Sequence, residues 1–93
     1  MLLLAVRVRI MGQVQGLWYR SWTKETAICL GLSGWVRNRR DGSVEAVFYG
    51  SGSKIDQMLL KCHDGPLSAQ VDQVLVDDEP SDVLLGFTQL PTL

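Results

Sequence analysis

Two β-rich runs meet at Asp41-Gly42 in "GWVRNRRDGSVEAVFYG", residues 34–50. Aspartate followed by glycine between such runs is the strongest short-range hairpin signal, because both residues accept the left-handed backbone of a tight turn. A hairpin here fixes two antiparallel neighbours, with Val44, Ala46 and Phe48 sharing one face of the second. What flanks it then decides the fold. Upstream, apolar and other residues alternate from Leu4 to Met11, placing Val6, Val8 and Ile10 on one face of a strand and Arg7 and Arg9 on the other. Tyr19, Thr23, Ala27 and Leu30 recur at helical spacing, which predicts a helix from about 19 to 30 closed by Gly31.

Downstream, Ile55, Met58, Leu59 and Cys62 stand at i, i+3, i+4 and i+7 in "SGSKIDQMLLKCHDG", with Ser51 or Ser53 as N-cap and Gly65-Pro66 as the stop. "AQVDQVLV" (69–76) reads as a fourth strand, acidic "DDEPSD" (77–82) as a surface loop and "LLGFTQL" (84–90) as a short last strand. The order predicts an α+β, ferredoxin-like β-α-β-β-α-β sandwich: an antiparallel sheet, two helices on one face, and a short extra C-terminal strand. That layout hosts RNA binding, metal delivery, ligand sensing and catalysis, so function must come from a site.

Length and composition narrow the classes. Ninety-three residues make one domain, 1–93, and 46% hydrophobic with 20% charged residues is globular rather than disordered. Residues 1–40 carry seven basic side chains against Glu25, whereas residues 41–93 carry Lys54 and Lys61 against nine acidic ones. A ligand site built from the first half draws anions, while the acidic half discourages indiscriminate polyanion binding. Cys29 and Cys62 lie in apolar-periodic stretches without metal-ligand spacing, so they read as reduced core thiols, although a bridge stays open. "MLLLAV" is too short for a signal core and runs straight into "RVRI", and no stretch reaches transmembrane length. The expectation is a cytoplasmic protein away from membranes.

The segment "GQVQGLWYR" (12–20) joins the first strand to the first helix. Glycines at 12 and 16 allow successive backbone amides to converge, and the helix adds unpaired N–H groups at the positive end of its dipole. Together these form an anion nest. Arg20 in the first turn opposes that dipole, and a bound phosphate would compensate it through paired guanidinium donors. On spacing alone, an ordinary turn beside a surface arginine is the simpler reading. The segment is neither a P-loop, lacking the GK[ST] ending, nor a dinucleotide fingerprint.

"GQVQGLWYR" resembles the acylphosphatase signature G-x-V-Q-G-V-x-[FY]-R, and "GLSGWVRNRRDGSVE" (31–45) resembles that family's second block, G-L-x-G-W-V-x-N-x-x-D-G-S-V-E. Weaker matches follow in "GPLSAQVDQV" (65–74) and Phe87. The resemblance spans about the whole chain. It implies a monomeric, metal-independent enzyme without cofactor that hydrolyses the carboxyl-phosphate bond of small acyl phosphates. It also implies that the amides of Gln13, Val14, Gln15, Gly16, Leu17 and Trp18, with Arg20, hold the phosphoryl group, and that Asn38 orients the attacking water. Gln13 replaces a commonly basic residue, Leu17 replaces valine, and Trp18 is bulky for a variable position.

Other readings compete. A non-catalytic module sensing acyl or carbamoyl phosphate would keep the loop but would have no need of Asn38. An RNA-binding domain needs paired aromatics on a basic sheet face, whereas Glu45, Val47 and Tyr49 pointing outward supply one aromatic. No nucleic-acid partner is expected. Copper delivery needs a cysteine pair in the first loop, which is absent. His63 beside Asp64 reads as a solvated helix end, Trp22 and Trp35 as packing residues, and Arg37, Arg39 and Arg40 as the wet face of the hairpin.

Overall fold

The computed structural model describes residues 3–16, 18–78 and 85–93. Strand β1 (Leu3–Gln13) is an interior strand, pairing antiparallel with both β3 (Val44–Ser51) and β4 (Gln70–Asp78). Strand β2 (Ser33–Asn38) pairs antiparallel with β3 on the far side, and β5 (Phe87–Gln89) runs parallel along β2. The order is therefore β4-β1-β3-β2-β5, with helices α1 (Tyr19–Cys29) and α2 (Gly52–Asp64) packed on one face. This is the expected ferredoxin-like arrangement with its added strand. No helix among the described residues is long and apolar enough to cross a membrane.

The core follows the two periodicities. Val8, Ile10, Val36, Val44, Ala46 and Phe48 line the covered sheet face and meet Tyr19, Thr23 and Ala27 of α1 and Ile55, Met58 and Cys62 of α2. Each large side chain so buried contributes about 1.5–3 kcal/mol. Phe87 stacks on Phe48 with ring centroids 5.7 Å apart, which anchors the short β5. Two buried hydroxyls of α1 are answered: Tyr19 Oη donates to the Cys62 carbonyl at 2.7 Å, and Thr23 Oγ1 donates to the Tyr19 carbonyl at 2.7 Å. Burial pushes the Cys62 thiol up to about 12, so it behaves as a small apolar side chain.

Several boundaries differ from the pattern-based reading. Strand β1 continues past Met11 to Gln13 through a register shift between Met11 and Gly12. Gly12 permits the bulge, since a Cβ there would strike the Gln70 carbonyl oxygen. Helix α1 stops at Cys29, where Gly31 N–H bonds to Ile28 O at 3.0 Å and Leu32 N–H to Ala27 O at 2.9 Å, the two bonds of a Schellman cap. Ser51, not Ser53, holds the N-cap position of α2, and its side chain makes no cap hydrogen bond. Asp77 and Asp78 extend β4 instead of opening a loop, and 79–82 lie outside the described residues. Of "LLGFTQL", only Phe87–Gln89 forms strand, while Leu84 lies outside the described residues.

Two burial expectations are corrected. Cys29 is exposed, because two residues beyond Ala27 it is rotated about 200° from the buried stripe, and both cysteines are free. Glu45 and Val47 do sit on the sheet face away from the helices, yet they are only 1% and 2% exposed. Long neighbours cover them: Arg9 and Arg37 stand opposite Glu45, and Arg7 and Trp35 opposite Val47.

Candidate active site

Strand register brings three chain segments to one end of the sheet. Gln13, closing β1, pairs with Gln70 at the start of β4, while Ile10 pairs with Val44, which pairs with Asn38 at the end of β2. The loop after β1 therefore has Asn38 on its β2 flank and the turn from 65 to 69 on its β4 flank. A Cβ at Gly65 would strike the Tyr19 ring, so that turn is pressed against the start of α1.

Within the loop, Val14 is buried and pins the backbone. Gln15 Nε2 donates to the Arg39 carbonyl at 2.6 Å and the Ser43 carbonyl at 2.7 Å. Both amide hydrogens are thereby committed to the β2–β3 turn. Gly16 and Trp18 both adopt left-handed backbone, with φ 73° and 62°. Trp18 is the one non-glycine residue of this kind among the described residues, and it occupies the N-cap of α1 with 82% exposure. Leu17 lies outside the described residues. No side chain caps α1, and its first turn holds no acid, so neither a cap nor a carboxylate competes with an anion there.

Arg20 occupies the first turn of α1, partly buried, and among the described residues its guanidinium has no hydrogen bond or ion pair. The arginines of the sheet behave otherwise. Arg37 Nε donates to Glu45 Oε1 at 2.8 Å, Arg39 Nη1 donates to the same oxygen at 3.1 Å, and Arg7 Nη1 lies 3.6 Å from Glu45 Oε2. Burial alone would raise the Glu45 pKa, but the hydrogen bonds from Arg37 and Arg39 outweigh it and hold the carboxyl below its ordinary value. Arg37 also lies 4.7 Å from the centroid of the Trp35 ring. Arg37 and Arg39 are therefore not a wet face; only Arg40 of the three is exposed.

Asn38 ends β2, one residue before the carbonyl that Gln15 grips. Its Oδ1 is buried, and among the described residues no donor reaches it. A buried acceptor without a partner needs an explanation, and a reacting water is one that chemistry can use. Among the described residues, no three His, Cys, Asp or Glu side chains gather as metal ligands would. His63 is exposed at the end of α2.

Fold and site together define a small ferredoxin-like domain with an uncapped helix N-terminus, a cation beside it and an amide-gripped loop. The acylphosphatase family model matches residues 6–88. Acylphosphatases of Rhizorhabdus wittichii and Rhodospirillum rubrum are 49% and 54% identical, covering 97% and 92% of this chain and 91% and 94% of their own. The structure of an acylphosphatase from Coxiella burnetii superposes with a TM-score of 0.91 at 28% identity, covering 95% of this chain and 93% of that one. The chain belongs to the acylphosphatase family.

Proposed function

We propose that the chain hydrolyses the carboxyl-phosphate bond of acyl phosphates, releasing a carboxylate and inorganic phosphate. Loop amides from Gln13 to Trp18 and the Arg20 guanidinium hold the phosphoryl oxygens, and Asn38 orients the attacking water. One observation supports the division of labour: the buried Asn38 Oδ1, without a donor among the described residues, beside the turn to which Gln15 ties the loop. A water donating one proton to Oδ1 keeps a lone pair free for phosphorus.

The chemistry needs little more. The leaving carboxylate is a weak base and requires no general acid. Positioning and stabilisation of charge on the phosphoryl oxygens then supply the rate, which suits amides and a guanidinium. A neutral amide holds water without repelling phosphate, and the second water proton passes to a phosphate oxygen. No metal or cofactor takes part in this scheme. We further propose that residues 1–93 act as one domain and as a monomer, and that the two free thiols suit a reducing cytoplasm.

Hydrolysis of acetyl phosphate in excess chelator tests the proposal. Wild type turns over, and Asn38→Ala lowers kcat about 100-fold with KM within threefold, the pattern of a group acting mainly in the transition state. Absence of turnover by folded wild type sinks the enzyme reading and leaves a binding module. Equal losses in kcat and KM remove Asn38 from its role.

A further inference from the structure

An acyl phosphate held at its phosphoryl end must project its acyl group somewhere, and the β4 flank of the loop offers a place. An open cleft of about 650 Å³ is bordered by Gly16, Trp18, Pro66, Leu67 and Ser68. That volume is in the range of about 300–1,000 Å³ typical of small-molecule sites. None of the bordering side chains is charged. Leu67 is fully exposed and Trp18 nearly so, an unusual display of apolar surface for residues on either side of one cleft.

Reaction geometry points the same way. In-line displacement places the attacking water and the departing acyl oxygen on opposite sides of phosphorus. Asn38 stands on the β2 side of the loop, and Pro66, Leu67 and Ser68 lead into β4 on the other. If Asn38 holds the water, the acyl group leaves toward the cleft. Neither Arg20 nor Asn38 borders the cleft, as a division between phosphoryl and acyl halves requires. Resting on the hydrolase reading above, we propose that Trp18 and Leu67 form an acyl subsite that selects uncharged aromatic or bulky apolar acyl groups over small ones.

The test compares kcat/KM for benzoyl phosphate with that for acetyl phosphate. Trp18→Asn keeps a residue that tolerates left-handed backbone while removing the indole, and Leu67→Ser lies outside the phosphate loop altogether. Each substitution lowers the benzoyl-to-acetyl ratio about fivefold, equivalent to losing contact with part of one ring face, and the double variant lowers it further. The inhibition constant of inorganic phosphate, measured alongside, reads the phosphoryl cradle; a ratio that moves only in step with it overturns the subsite. So does a ratio unchanged in both single variants and the double, with the hydrolase reading intact. Wild type inactive on both substrates overturns the hydrolase reading and the subsite together.

Discussion

Two arginine settings in this molecule are opposites. On the open sheet face, three guanidiniums converge on one carboxylate that is 1% exposed. At the start of α1, one guanidinium stands at the positive end of a helix whose first turn holds no carboxylate. The first is complete within the chain, because each charge has a partner and Glu45 has its desolvation offset by hydrogen bonds. The second has no anionic partner among the described residues. A cluster of arginines is therefore a poor guide to an open charge; among the described residues, Arg20, set against a helix dipole, is an arginine without a partner.

Arg20→Met is expected to break the comparison most visibly. It should lower kcat/KM for acetyl phosphate at least about 1,000-fold, the scale of losing a preorganised charge in a phosphoryl site, while thermal unfolding stays within about 0.5 kcal/mol of wild type. Arg37→Met, with the same loss of charge, should do the reverse. Glu45→Gln comes next in size: urea unfolding should show a loss of about 2 kcal/mol, below that of a sealed ion pair because the three guanidiniums keep contact with water, with kcat/KM within threefold. If Glu45→Gln abolishes activity while leaving stability intact, the two settings are not separate.

The smallest effect is on pH dependence. The Glu45 carboxyl has a folded pKa below its unfolded value, so its stabilisation is fully present above the ordinary glutamate pKa and is lost as pH falls through the depressed value. Stability of wild type should decline below about pH 4.5, and Glu45→Gln should flatten that acid limb. Asp41 has a depressed pKa as well, through the Ser43 hydroxyl and backbone N–H, and leaves a residual slope in the variant.

The hairpin, both helices and the order of elements along the chain are legible in the sequence because each rests on a local period or turn signal. Glu45 shows what is not. A period-two pattern places it outward, which is right, and equates outward with wet, which is wrong when neighbouring strands carry arginines. The register was nonetheless within reach: a turn closed by Arg39 N–H to Ser43 O sets Arg37 opposite Glu45. Cys29 fails for the opposite reason, since an apolar stretch says nothing about a residue's angle from the stripe. The site residues come from the family signature; spacing alone left Arg20 beside an ordinary turn. The carbonyls that Gln15 grips had no signal at all, because a glutamine's partners 24 and 28 residues away depend on how the loop is folded back.

That glutamine has a consequence for motion. With both amide hydrogens on carbonyls of the hairpin turn, the loop after β1 and the turn beside Asn38 are stitched into one local opening unit. Fraying of the hairpin turn releases the loop, and release of the loop frees the turn. The two segments come apart as one event, so amide hydrogens on either side of the stitch should share a single opening free energy.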